Sequence, residues 1–499
     1  MFANRYAFVP KLSALLLLAL LGCNDDNDST PNSGVQLKVH SVNPSLVKAL
    51  PGFESLEILP LISSDDVLAE SPGFIFGGQP DGSGLLKNPN GEGYILLNNH
   101  EIMFAVSRVY LDKTFKPVKG DYILDGDGGS FRLCSATLAT PEEHGFGPLF
   151  LTAGETDGES LVHALDPFGP VNKKDRSRMK PALGHACMEN AVPLPKDAFP
   201  GKTVVLIGED ESSRVGAGQL IAYVSDAVGD LDNGKLYVLK RTSGDPVETN
   251  MTSGQQYDVE LVEIENAKTL TGAQIAARTV AKNAIQFARV EDVDYRKGGN
   301  GAGREVYFTA TGVSQSDKVT PVTGFTMWGR VYKLTMQADN VLRGKLEIIA
   351  DGATDPGNNI VNPDNICVTN DYVYIQEDGD SFYRNTRHDG RVWQYSMGSK
   401  QLKPMLEMDH RRDGRDPNFA PGGKYNNHPI PSWRTDLSSW EYGAMQDISD
   451  LVGVPNTFLL NIHPHTWRDD KYLNADGSNE TRNKNNEGGQ VVIVRGVQK

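Results

Sequence analysis

The chain has 499 residues, 39% hydrophobic and 23% charged, with Gly 51, Pro 28 and a formal net charge of −15 at pH 7. That length allows one large domain or two to three ordinary ones, and the composition is that of a folded body rather than a disordered or fibrous chain. The acidic balance argues against a nucleic-acid partner and suits divalent cations, whose hard charge takes carboxylate oxygens.

At the N-terminus, Arg5 and Lys11 flank an apolar run at 12–21 that is too short to span a membrane as a stable helix, so 1–22 reads as an export signal. The run ends in Leu20-Leu21-Gly22-Cys23, which resembles a bacterial lipoprotein box. The resemblance implies cleavage before Cys23, lipidation of that cysteine and membrane attachment in a bacterial cell envelope. The polar segment that follows has few apolar residues, and 23–36 is expected to be a flexible, lipidated tether. Residues 37–499 form the expected folded domain. It holds Cys134, Cys187 and Cys367, an odd number that leaves at least one thiol unpaired, either buried or ligating a metal.

Residues 35–73 carry no motif. Beyond them one device recurs: an apolar strand, a polar or acidic tip, an excursion, and a return strand opened by glycine. The first unit runs 94–97, has its tip at Asn98-Asn99-His100-Glu101 and is expected to return at 130–138. The second runs 149–152 with tip Glu155 and returns at 161–165; the third runs 204–207 with tip Glu209-Asp210 and returns at 219–224. The fourth runs 306–309 with tip Thr311 and returns at 330–334; the fifth runs 372–375 with tip Glu377-Asp378 and returns at 391–395. The sixth runs 457–460, has Asn461, His463 and His465 at its tip, and returns at 490–494. Extra strands are expected at 235–240 and 257–264 and a helix over 272–284, while 397–455 reads as mostly loop. Six such units predict an all-β fold, a six-bladed β-propeller with large loop insertions. If rotation relates the units, Glu101, Glu155, Glu209-Asp210 and Glu377-Asp378 converge on one rim, where like charges raise each other's pKa or demand a cation. Calcium is the natural ion for such oxygen-only sites.

Further residues, in order, resemble the PhoX-type alkaline phosphatases, bacterial six-bladed propellers with an iron–calcium cluster. The matching pieces are Asn99-His100-Glu101; Cys134, Thr140-Pro141 and Glu155; Gly184 to Glu189; Gly208-Glu209-Asp210; Arg289-Val290-Glu291-Asp292; and Pro363-Asp364-Asn365. The resemblance spans about 94–494. It implies that Cys134 bridges iron, that Glu155, Glu189 and Glu291 ligate metal, and that Arg289 grips phosphate. Asp210, Asp364 and Asp378 join the candidate ligands, and His463 joins Arg289 as a candidate catalytic residue. The chemistry is coherent on its own terms: thiolate suits iron, carboxylate suits calcium, and a guanidinium can hold phosphate by two hydrogen bonds. Two departures stand out. Gly154 occupies a position where the family has a second glutamate, and the leader has Asn4-Arg5 in place of an arginine pair. The expected function is a monomeric, calcium- and iron-dependent phosphatase acting on small organic phosphoesters. The alternatives are a calcium-dependent hydrolase of another ester class, such as a lactonase, and a non-catalytic propeller that binds a ligand at the cell surface.

Overall fold

The structure, a computed structural model, describes residues 34–170, 176–212, 216–299, 301, 303–429, 439–482 and 486–499. The expected leader, Cys23 and most of the tether lie outside them. Among the described residues no helix is long and apolar enough to cross a membrane.

Short runs rich in β-branched and aromatic residues, cut by glycine and proline, form the strands. The first six are β1 (Val47–Ala49), β2 (Glu57–Ser63), β3 (Pro80–Lys87), β4 (Tyr94–His100), β5 (Ala105–Leu111) and β6 (Pro117–Leu124). A short sheet follows: β7 (Leu133–Ala139), β8 (Leu149–Gly154) and β9 (His163–Leu165). Next come β10 (Met188–Pro193), β11 (Thr203–Glu209), β12 (Leu220–Ser225), β13 (Lys235–Arg241), β14 (Gln256–Ile264), β15 (Val290–Tyr295), β16 (Glu305–Ala310), β17 (Arg330–Gln337) and β18 (Asn340–Asp351). The last are β19 (Pro363–Val368), β20 (Tyr372–Glu377), β21 (Arg391–Ser396), β22 (Leu402–Met408), β23 (Glu441–Asp447), β24 (Thr457–His463) and β25 (Gln490–Arg495).

These strands make five antiparallel sheets in a propeller-like arrangement. Three hold four strands or fewer: β3 to β6, β7 to β9, and β2-β25-β24-β23. A fourth adds β1 to the outer edge of β22-β21-β20-β19. The fifth has nine strands, because β14 pairs with β13 on one side and β18 on the other. The expectation of six separate blades is therefore corrected: two of the sequence units share one continuous sheet. The strands β3, β7, β10, β15, β19 and β23 touch one another in that order, and β23 returns to β3. They surround an axis.

Other expectations also change. The partner of β4 is β5, and 133–139 instead opens the next sheet by pairing with β8. The segment expected to be loop contains β22 and β23, and 35–73 contains β1 and β2. The helix is real but ends at Ala281; Thr271 caps it reciprocally with Gln274.

Apolar side chains between the sheets hold the ring together. In the nine-stranded sheet the Phe308 and Tyr332 rings stack at 5.0 Å, with Phe287 edge-on to Phe308 at 5.3 Å. Trp440 and Trp467 are fully buried beneath the last two sheets. Full burial of side chains this large is worth roughly 1.5–3 kcal/mol each.

Every one of the six axial strands carries a β-bulge at the same phase. The register slips between Pro80 and Ser83, Leu133 and Ala136, Met188 and Ala191, Val290 and Val293, Pro363 and Ile366, and Tyr442 and Met445. A bulge adds a residue that the partner strand does not match and re-aims its side chain.

Ring closure depends on β2, which reaches across to β25. Ile62 lies on it, 1% exposed. Ile62→Ala should destabilise the fold by about 2–4 kcal/mol in urea unfolding. A change below about 0.5 kcal/mol, within the range of ordinary surface substitutions, would mean that the closing strand contributes little.

Candidate metal centre

The bulges build the site. Their first residues, Asp81, Cys134, Glu189, Glu291 and Asp364, line a cavity of about 390 Å³ at one end of the axis. Their second residues, Ser135, Asn190, Asp292, Asn365 and Ala444, line a larger cavity of about 590 Å³. Successive residues of the same strands thus face two different spaces. The smaller cavity concentrates the chemistry: Glu101, Glu155, Asp378, Asp380, Glu441, Glu487, Arg132, Arg289, His465 and Arg468 also line it.

The donor atoms fall into overlapping groups, in each of which every donor lies within 4.8 Å of the others. Asp81, Cys134 and Glu189 form one; Glu101, Cys134 and Glu155 a second; Glu189, Glu291 and Asp364 a third. Cys134 and Glu189 are shared, so the groups join into one chain of donors. Cys134 Sγ lies 3.1 Å from Glu155 Oε2. Asn99 supports this corner by donating to the Cys134 carbonyl and, at 2.7 Å, to Thr152 Oγ1. Ser135 donates its backbone N–H to Glu189 Oε1 at 3.1 Å, while Asp364 Oδ1 is buried with no hydrogen-bond partner.

Burial pushes the carboxyls of Asp81, Glu155, Glu189, Glu291 and Asp364 well above the usual range. Neighbouring carboxylates add to the rise: Asp210 against Glu155, and Glu291 against both Glu189 and Asp364. Asp378 is pushed up to about 6, chiefly by burial and then by Glu441. The Cys134 thiol rises too, from burial first and then from Glu155.

Arg289 faces these acids from an uncommon backbone. Its φ is 64°, a left-handed conformation that costs a non-glycine residue on the order of 1–3 kcal/mol. Thr311 N–H donates to its carbonyl at 2.9 Å, and its own N–H donates to Glu211 O at 3.2 Å. The guanidinium grips Asp210 by two hydrogen bonds, Nε to Oδ1 at 2.8 Å and Nη2 to Oδ2 at 3.2 Å. Nη2 also lies 2.6 Å from Glu291 Oε1. Arg132 pairs with Glu101 at 2.9 Å and Glu155 at 3.5 Å.

The structure brings Cys134, Glu155, Glu189, Glu291, Asp364, Asp378 and Arg289 to one cavity. Asp210 stands beside it as the partner of Arg289. Asp378 accepts the backbone N–H groups of Asp380 and Ser381 at 2.7 and 3.0 Å. Glu377 points away and accepts from Val361 N, Arg391 N and Trp393 Nε1. His463 is fully buried next to Glu441 and His465. His100 is a core residue, its imidazole held neutral by burial with a pKa of about 3.

Asp81, Arg132, Glu441, Arg468 and Glu487 were not among the sequence candidates. One signal could have found Asp81. Pro80-Asp81-Gly82, Leu133-Cys134-Ser135, Met188-Glu189-Asn190, Val290-Glu291-Asp292 and Pro363-Asp364-Asn365 share a pattern: an apolar or proline residue, a ligand-type residue, then a small or polar one. Gly154 also finds its reason here. A Cβ on it would fall 2.7 Å from Phe131 Cβ, so a second glutamate at that position needs Phe131 to move.

No family model matches the chain, and no curated protein does either. Among solved structures it is similar to Pseudomonas fluorescens PhoX in complex with vanadate, a transition-state analogue, at 15% identity, 92% of this chain and 98% of that one, with a TM-score of 0.59. A PQQ-bound aldose sugar dehydrogenase from Streptomyces coelicolor covers 88% of this chain and 98% of its own at 10% identity, but its TM-score is 0.38. At these identities the likeness to PhoX establishes the fold: sheets arranged around an axis with a cavity at its end.

The raised carboxyl groups set the pH dependence of the metal-free protein. A carboxyl whose folded pKa exceeds its unfolded value binds more protons in the folded state between the two, so stability falls as pH rises through that window. With Asp378 at about 6 and several neighbours also raised, the stripped protein should lose melting temperature from pH 5 to pH 8. Millimolar calcium should flatten or reverse the slope in thermal melts. A stripped protein equally stable at both pH values would show that these acids are balanced without cations.

Proposed function

We propose that this protein is a metal-dependent hydrolase that releases phosphate from small phosphoesters, with calcium and iron at the carboxylate- and thiol-lined cavity. The observation that carries the reading is the position of Cys134. Its sulfur belongs to two carboxylate groups at once, with Asp81 and Glu189 on one side and Glu101 and Glu155 on the other. Arg289 also lines that cavity.

The residues fit such ions. A thiolate flanked by carboxylates suits iron, and a metal keeps a coordinating thiol deprotonated, which offsets the burial that raises Cys134. Glu189, Glu291 and Asp364 offer the hard oxygens that suit calcium, and the bare Asp364 Oδ1 is the kind of atom an ion would satisfy. When bound, the ions supply Lewis-acid charge to a phosphoryl group and activate an oxygen nucleophile.

The chain's own residues would position the substrate. Arg289 is fixed by Asp210 and Glu291, so its fork is held in place before an oxyanion arrives. Arg132 and Arg468 add charge at the wall. Among the described residues Ile102 is the one aliphatic side chain in the lining, which favours a small polar ester over a bulky apolar one. Under this reading the ring is a six-bladed propeller in which β14 fuses two blades into the nine-stranded sheet.

Purified protein should release phosphate from p-nitrophenyl phosphate, contain iron and calcium by elemental analysis, and lose activity on chelation. Cys134→Ser should remove iron and lower kcat/KM by at least 100-fold, whereas Cys187→Ser and Cys367→Ser should keep both. Arg289→Lys should cost about 2–4 kcal/mol of transition-state stabilisation, because it removes a planar two-point grip on developing charge. Full activity in the Cys134→Ser protein, with calcium alone bound, would instead favour the calcium-dependent esterase.

The lipoprotein-like box at Leu20-Leu21-Gly22-Cys23 supports a second element of the reading, a lipid anchor on Cys23 that holds the cavity at a bacterial envelope membrane. Cys23→Ser should shift the protein from the membrane to the soluble fraction. A variant that stays membrane-bound with its leader removed would place the anchor elsewhere.

A further inference from the structure

One group at the cavity wall differs in chemistry from the rest. Glu441, His463 and His465 bring one carboxylate oxygen and two imidazole nitrogens within 4.8 Å of one another. The fold places them together for a definite reason. Glu441 and His463 are cross-strand partners at the ends of β23 and β24, and Pro464 turns the chain so that His465 comes back to the same carboxylate. Gly443 keeps the space open: a Cβ there would fall 2.8 Å from His463 Nε2.

The outer nitrogens are committed. His463 Nε2 lies 2.9 Å from the Pro80 carbonyl, which can only accept, so this nitrogen carries the proton. His465 Nδ1 lies 2.9 Å from Glu487 Oε2, again an acceptor, and Gln79 and Arg468 both bind Glu487. The inner nitrogens point the other way. His463 Nδ1 is fully buried, has no hydrogen-bond partner, and stands 3.6 Å from Glu441 Oε2. His465 Nε2 is 3.0 Å from the same oxygen. For bonds of about 2.1 Å to a tetrahedral ion, donors sit about 3.4 Å apart, and these separations bracket that value. A histidine whose far nitrogen donates to a carboxylate or a carbonyl is the usual outer support of a metal-bound imidazole.

We propose that Glu441, His463 and His465 form a separate site for a divalent first-row transition ion of the zinc class, distinct in ligand type from the oxygen and thiol groups across the cavity. Imidazole nitrogens favour zinc-like ions over calcium, so the two sets would sort different ions within one cavity. Three protein ligands leave an open position, and Glu441 and His465 line the cavity, so that position is accessible to a small anion or water. The inference does not depend on the phosphatase reading, because its readout is metal content rather than turnover.

The test uses the full chain, stripped by chelation and dialysed against zinc in excess calcium. Wild type should retain one more zinc equivalent than His463→Gln or His465→Gln. Cys134→Ser should keep that equivalent, and Glu487→Gln should weaken zinc binding by about 10–100-fold. Zinc-edge X-ray absorption of the wild type, which needs no variant, should show two imidazole scatterers. Folded histidine variants that bind as much zinc as wild type, equal zinc loss in Cys134→Ser, or an absorption edge without imidazole would overturn the proposal.

Discussion

The structure turns on a cluster of acids held out of water at one end of an axis. Buried carboxyl groups this close cannot all be ionised unless protons or cations offset them. The surroundings are arranged to keep them there. Bulges on the axial strands aim Asp81, Cys134, Glu189, Glu291 and Asp364 at one space. Asn99 holds the Cys134 carbonyl, the Ser135 amide holds Glu189, and turn amides hold Asp378. Arg289 accepts a left-handed backbone to reach two of the acids. Strain, burial and like charge accumulate in the same place. Such a combination is costly for stability and therefore points to function.

Much of the fold was legible because hairpins are local. Five of the six predicted return strands pair as expected, since their apolar runs and glycine-opened turns lie close in sequence. The first failed because Gly128-Gly129 looks like an opening, while the true partner, β5, follows a three-residue turn of helix, Glu101–Met103. β22 is interrupted by Pro404 and β23 by Gly443, so neither shows an unbroken apolar run. The merging of two units into a nine-stranded sheet depends on β14 finding β18 across about 80 residues, a pairing no local pattern encodes.

The site was legible in two unequal ways. Strand-end acids such as Glu155 and Asp378 could be read from spacing alone. Cys134, Glu189, Glu291 and Asp364 came only with the family resemblance, because a bulge is a property of register between strands rather than of one strand. Asp81 was missed for the same reason: Pro80-Asp81-Gly82 reads as a turn, although it opens β3. Glu487 lies in a stretch dominated by polar residues, where a buried carboxylate looks like a solvated one until the fold covers it.

The way the ring is stitched has a consequence for the order of assembly. β1 completes the outer edge of the sheet of β19 to β22, and β2 lies against β25. Strands from the beginning of the chain therefore wait for strands made more than 350 residues later. The cavity wall is equally late, since Glu441, His465 and Glu487 follow most of the other lining residues in the chain. A partly made chain can form its middle sheets from neighbouring hairpins, but it holds an open crescent of acids with no far wall. If the proposed ions bind, their capture and the closure of the ring would fall at the same moment, and an ion held across the gap would act as a clasp on the whole circle.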